Sequence, residues 1–377
     1  MTEQAAVGRL RRLALVVEPL PGEGLVSWLG AMADAYGVSR NAVARATGIV
    51  RKPTDGQRLT EAVFDPSGAA ADLWTTCRLT PEQVTGLTYH RFRGTALAPL
   101  GEGWIPTTSR QSVEGRWINP HRMRLCPLCA AEGNRRWPLA WTLPWAFACT
   151  VHRCYLADRC PRCERPFRSL TTNPAGGICR TRILEPDIGW CQMPLREIPA
   201  VPVTDDYLLR LQQVLLEHLD APEAERPSAH KDFTDLRAMA LMALYTATSD
   251  HLPGADEYVV DGFARFCDDN FLTHGRLLSY EERVSPTVPV LTAVVRIAAG
   301  IVFCADPLEA ADAVANFTAE PHSPAIVALR RAWNTGPLSR GDRDTSARLA
   351  AVMDSLRYDG PGFSPNGYTP YHPSLRR

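Results

Sequence analysis

Apolar residues recur at three- and four-residue spacing in two separate stretches of this chain, and the stretch between them follows neither a helical nor a strand period. The first periodic stretch, LVSWLGAMADAYGVSRNAVARATGI from Leu25, predicts a helix through Tyr36, a turn at Gly37 and a second helix with Ser39 as its N-cap. Ala33, Gly37 and Val43 reproduce the small residue, glycine and apolar residue of a helix-turn-helix, in which two helices approach closely around a tight turn. Val38 and Ala46 are then expected to fill the interface. Arg40, Asn41 and Arg45 would lie on the exposed side of the second helix, able to meet bases or phosphates in a major groove. The plain alternative is a helical hairpin that only packs. Shorter helices are expected at EAVFD and PEQVTGL, the latter with Thr80 as N-cap and Pro81 as first helical residue.

The second periodic stretch follows the proline-spaced run IPAVPVTDD at Ile198–Asp206. DYLLRLQQVLLEHL, FTDLRAMALMALYTA, EYVVDGFARFCDDNFL, VPVLTAVVRIAAGIVF, PAIVALRRAW and TSARLAAVMDSLR predict an all-helical domain of about six helices. Breaks are expected at Ala221–Ser228, at Pro253 and Gly254, and at Ser285–Pro289. A proline- and glycine-bearing tail over 358–377 is expected to be flexible.

The aperiodic middle carries the chemistry. LCPLCAAEGNRRWPLAWTLPWAFACTVHRCYLADRCPRC places Cys126, Cys129, Cys149, His152, Cys160 and Cys163 in pairs separated by two residues. Zn²⁺ takes four tetrahedral thiolate or imidazole ligands, and a two-residue gap lets one chain reversal supply two of them. Cys126 and Cys129 with Cys149 and His152 make a set of three thiolates and one imidazole without an open position, which reads as a structural metal. Cys160 and Cys163 need partners, and Cys179 and Cys191 follow the turn signal NPAGG, although eleven residues separate those two. Cys154 is a rival for His152, and cross-braced pairing of the half-sites is an alternative. Two structural Zn²⁺ ions are expected. A disulfide framework fits poorly, because the chain is too long to need stapling, MTEQAAVGRLRRL lacks a signal-peptide core, and the spacing suits metal; a reducing cytoplasm follows. A deaminase-like catalytic zinc would need a His-x-Glu before Cys126, and none is there. Trp104, Trp117, Trp137, Trp141 and Trp145 near these ligands are expected to supply core, with base stacking as the alternative.

Charge and motif searches narrow the function. Net charge is zero, yet residues 1–203 carry 25 Lys+Arg against 17 Asp+Glu and residues 204–377 carry 16 against 24, so +8 faces −8. A polyanion surface therefore belongs to the N-terminal half, with weak, salt-sensitive non-specific affinity. Only Lys52 and Lys231 are lysines and neither follows glycine, which excludes a Walker A phosphate loop. No Gly-x-Ser-x-Gly or His-Glu-x-x-His occurs. The apolar run Val288–Ala305 holds Arg296 and reads as a buried helix, so no membrane span is expected. No enzyme activity is expected. The expected fold class is mainly α: an N-terminal helix-turn-helix domain (1–120), a double zinc-binding module of ribbon or finger type with short β-hairpins (121–200), a C-terminal all-α domain (201–357) and the tail.

PLPGEGLVSWLGAMADAYGVS at Pro19–Ser39, then CPLC, then Cys-x-x-His with a leucine four residues on, then CPRC, resembles the TniQ family of transposon-encoded accessory proteins, over roughly residues 15 to 170. The family pattern falls on Glu23, Ser27, Trp28 and Ala33 of the entry helix and on Cys126, Cys129, Cys149, His152, Cys160 and Cys163 as metal ligands. Gly24 stands where the family often has serine, Gly30 where it often has arginine, and Cys154 is unusual. The resemblance implies a non-catalytic target-selection adaptor in DNA transposition. Such a protein binds DNA or a DNA-bound complex, recruits an AAA+ transposition ATPase beside a transposase, and in some systems acts as a homodimer coupled to an RNA-guided complex. The rival is a stand-alone zinc-containing helix-turn-helix transcription regulator.

Overall fold

The computed structural model describes residues 11–50, 56–97, 122–133, 136–167, 177–183, 189–270 and 286–318. The expected helices at PAIVALRRAW and TSARLAAVMDSLR, the tail, Trp104 and Trp117 lie outside the described residues. Within them the fold is mainly helical, with eleven α-helices and one two-stranded hairpin. The chain divides into two compact units. The first runs to Arg93 and resumes up to Pro202, while the second takes Gly94–Leu97 and everything described from Val203 on.

In the first unit, α1 (Leu25–Tyr36) buries Leu25, Trp28, Leu29, Met32 and Ala33, the i, i+3, i+4, i+7, i+8 stripe of an amphipathic helix. Gly37 ends it at φ 62°, and the next amide, Val38 N–H, donates to Ala33 O at 3.0 Å. A Cβ at Gly37 would meet nothing within 4 Å, so the sign of φ and not space requires glycine there. Ser39 then caps α2 (Arg40–Ala46), its Oγ accepting from Ala42 N–H at 3.2 Å. The expected interface residues are corrected: Val38 is 47% exposed and Ala46 is also exposed, whereas Val43, Ala44 and Ile49 are buried. Val38 belongs to the reversal itself and points out of it. The edge of α2 formed by Val43, Ala44 and the buried Thr47, one turn apart, is the one turned inward.

Three short helices follow, α3 (Gly56–Phe64), α4 (Ser67–Cys77) and α5 (Pro81–Gly86). Thr80 and Gln83 close a full capping box at the start of α5, with Pro81 in the first turn as expected. Phe64 stacks on the buried Tyr89 at 4.8 Å between ring centroids. Beyond them come α6 (Pro127–Ala131) and the antiparallel hairpin β1 (Ala148–Cys149) and β2 (Cys154–Tyr155), with Cys149 opposite Cys154. Gly24 N–H donates to Trp137 O at 3.2 Å and Leu139 N–H to Gly22 O at 2.8 Å, which stitches the entry of α1 to the cysteine-rich region. Trp137, Trp141 and Trp145 are all buried, with Trp137 and Trp141 6.0 Å apart, so they form core, as expected, and offer no face to a base.

The second unit holds α7 (Asp206–Leu219), α8 (Arg226–Thr246), α9 (Glu257–Asn270), α10 (Val288–Val302) and α11 (Pro307–Thr318). α10 is its axis: Leu291, Ala293, Val294, Val295 and Ala298 are wholly buried, and the helix packs against α8 and α9. Arg296, the charge inside this apolar run, turns out to Asp205 at 3.4 Å, to Pro253 O at 2.8 Å and over the Tyr207 ring. α8 begins at Arg226, inside the expected break, because Pro227 occupies its first turn, where a missing N–H costs nothing. Gly94–Leu97 joins this unit through Thr95: His230 Nδ1 lies 2.7 Å from its carbonyl, and its Oγ1 donates to Leu219 O at 3.3 Å. Among the described residues no helix is long and apolar enough to cross a membrane.

Candidate metal centre

Two groups of four donors come together in the first unit, Cys126, Cys129, Cys149 and His152 in one and Cys160, Cys163, Cys179 and Cys191 in the other, each with its ligand atoms within 4.8 Å of one another. These are the two sets expected from spacing, paired in chain order and not cross-braced.

Local backbone places the donors. Cys126 is the N-cap of α6, and its Sγ accepts the Cys129 N–H at 3.4 Å, so one helical turn brings both sulfurs to one point. The turn between β1 and β2 carries His152, and its Nδ1 lies 3.5, 3.3 and 3.6 Å from the sulfurs of Cys126, Cys129 and Cys149. His152 Nε2 faces Glu132 at 3.0 Å, which fixes the ring and leaves Nδ1 for the centre. In the second set Cys160 Sγ is 3.6 Å from Cys191 Sγ and Cys163 Sγ 3.9 Å from Cys179 Sγ. The strand-like pairing of 177–181 with 191–195, including Cys179 N–H to Met193 O at 2.7 Å and Cys191 N–H to Thr181 O at 2.9 Å, overcomes the eleven-residue gap that separates Cys179 from Cys191.

One backbone feature recurs. The residues that directly follow His152, Cys163 and Cys191 are Arg153, Glu164 and Gln192, at φ 48°, 54° and 54°. A non-glycine residue in the left-handed region costs energy and persists only where its surroundings over-determine it. Here each one turns the chain away immediately after a ligand.

The electrostatics match a cation-binding role. The four sulfurs of the second set, the three of the first and that of Cys154 beside it are free thiols packed at sulfur–sulfur distances of 3.5 to 4.0 Å. Hydrogen bonds from the Cys129, Cys149 and Cys154 thiols pull Cys126 far below the usual thiol range, and the same Cys126 sulfur pushes Cys129 and Cys154 up. Burial pushes Cys160 up to about 12, and burial also raises Cys163. Such crowded, buried thiols resist losing their protons together unless a divalent cation compensates the charge. The donor sets therefore fit metal: three thiolates and an imidazole in one case and four thiolates in the other, each a complete tetrahedral complement.

The entry helix contributes a second construction around the family residues. Glu23, 1% exposed, is paired with Arg136; Arg136 Nε donates to its Oε1 at 2.9 Å and Arg136 Nη2 to Glu18 O at 2.6 Å. Ser27 Oγ donates to Glu23 at 2.7 Å and accepts Trp137 N–H at 2.8 Å, and Trp28 Nε1 donates to Val17 O at 2.8 Å. A Cβ at Gly24 would sit 3.1 Å from Leu139, a close fit.

Of the expected DNA-facing residues, Asn41 and Arg45 are exposed, while Arg40 is half-buried. Burial and then the positive charge of Arg180 lower the Arg40 pKa, so α2 and the second cysteine set bring like charges close together. Arg180 has no signature in sequence, and neither does the exposed Trp190 beside Cys191.

No curated protein matches the chain. The family model described as TniQ matches residues 14–156. The match takes in α1, the Glu23 partners and the whole first donor set, and stops short of the second. Over these residues, somewhat under half of the chain, the sequence is similar to the TniQ family.

Proposed function

We propose that this protein is a non-catalytic target-selection adaptor for DNA transposition, which engages DNA or a complex already on DNA and recruits an AAA+ transposition ATPase. The observation that carries the reading is the union, in one compact unit, of the TniQ region with two four-donor centres that have no position left for a substrate. Zn²⁺ suits both donor sets and would act as a structural ion, holding α6, the β1–β2 hairpin and the 177–195 turns in place. Asn41 and Arg45 on α2, with Arg40 and Arg180 adding positive potential, are the residues assigned to phosphates or base edges. The second unit, rich in acid and built on α10, is assigned to protein docking. A cytoplasmic location agrees with the free thiols.

Affinity purification of the tagged full chain from its own cells, at low salt, tests the assignment. An AAA+ ATPase or a transposase among the recovered partners supports it. Recovery of a specific DNA site alone, with a steep salt dependence, replaces it with a transcription regulator.

A further inference from the structure

The first donor set has a fifth sulfur beside it. Cys154 lies directly opposite Cys149 in the β1–β2 hairpin, and opposed residues of an antiparallel pair project their side chains from the same face. Cys149 is one of the four donors, so Cys154 is aimed at the same centre. Its Sγ is 3.5 Å from Cys126 Sγ, it is 2% exposed, and it stands outside the four atoms that lie within mutual reach. Its backbone is held on both sides: β1 pairs with it on one edge, and a bridge to Pro202 with Tyr155 N–H donating to Val201 O at 2.9 Å holds the other. His152 differs. It comes from the turn, its side chain is 15% exposed, and its outer nitrogen is tied only to the exposed Glu132.

We propose that Cys154 is a reserve ligand of the first metal centre. While His152 occupies the fourth position, the Cys154 thiol donates to the Cys126 sulfur from outside the ligand shell. When His152 is lost, Cys154 moves into the vacated position and the centre becomes a four-thiolate site. Both ligand sets are ordinary closed zinc shells, so the exchange conserves four-coordination and adds one thiolate, the Cys154 thiol proton being released to water. The two candidates for the fourth ligand in the sequence thus become two states of one site. The inference rests on the metal reading of the site, and the experiment separates the two.

Full-length protein is loaded with Co²⁺ as a visible probe, and metal content is measured in parallel with Zn²⁺. Wild type is expected to bind two ions, one with the spectrum of three sulfurs and a nitrogen and one with the spectrum of four sulfurs. Cys154→Ser is expected to be indistinguishable from it. His152→Ala is expected to keep two ions, with the mixed sulfur–nitrogen bands replaced by a second four-sulfur set, at an affinity within about 10-fold of wild type. His152→Cys supplies the reference four-sulfur spectrum and a folding control. The double variant His152→Ala/Cys154→Ser is expected to keep one ion. Loss of an ion from His152→Ala alone, or a three-sulfur spectrum completed by water, overturns the proposal. Loss of an ion from Cys154→Ser also overturns it, by making Cys154 a resident ligand. Absence of metal from folded wild type removes the metal reading itself.

Discussion

The two units of this chain are held together by different physics. In the second, α10 is buried along nearly its whole length between neighbouring helices, and the stabilisation is that of apolar area removed from water. In the first, the described helices have twelve residues or fewer, the hairpin has two residues a side, and buried groups include Glu23, Arg93 and Arg124. A region of that kind needs cross-links, and the two donor sets and the Glu23–Arg136 pair are placed to supply them. The lesson is that the first unit adds places for a few specific, removable bonds to an apolar core around Trp28, Tyr89 and Phe147, while the second rests mainly on helix-to-helix apolar packing.

The contrast is broken most severely by removing metal. A strong chelator, or Cys126→Ser with Cys129→Ser, is expected to erase amide-exchange protection in α6 and the β1–β2 hairpin while α8 and α10 stay protected. Structural zinc contributes on the order of 10 kcal/mol in small modules. Equal loss in both units would show that the second also depends on the ions. Next in size, Arg136→Ala leaves the Glu23 carboxylate buried without its cation and is expected to cost about 3 kcal/mol in a denaturant titration, with metal content retained. Gly262→Ala probes the other side. In an ordinary helix the change stabilises, but here the new Cβ would lie 2.4 Å from Pro289 Cβ, where α9 crosses α10. A loss of about 2 kcal/mol confined to the second unit is expected. Smallest, Ser39→Ala removes the cap of α2 and is expected to cost about 1 kcal/mol. A much larger loss would mean that α2 carries more of the first unit than its seven residues suggest.

What could be read from the sequence follows the range of the interaction that specifies it. Ser39, Gly37, Thr80 and Pro81 act on neighbours within four residues, so the end of α1 and the starts of α2 and α5 could be derived from residue type alone. Cys126 with Cys129, and Cys149 with His152, are legible for the same reason, since each pair is one turn. Cys179 and Cys191 needed a strand pairing that spacing does not announce. The Glu23–Arg136 pair joins residues 113 apart, and nothing local in either sequence context demands the other. The inward edge of α2 and the half-buried Arg40 depend on what packs there, including Arg180, so the period of seven residues could not decide between faces. α11 was missed because PLEAADAVANFT offers alanines where a helical pattern is recognised by larger apolar residues.

Gly94–Leu97 belongs to the second unit although the chain on both sides of it belongs largely to the first. The two halves are therefore interleaved and not concatenated. A gene truncated to begin at Val203 would code for all five described helices of the second unit and still lack the Thr95 carbonyl that faces His230 and the hydroxyl that reaches Leu219 O. Any exchange of the second unit between such proteins, in the laboratory or by recombination, has to carry Gly94–Leu97 along with the chain from Val203, and a single crossover at Val203 does not do so.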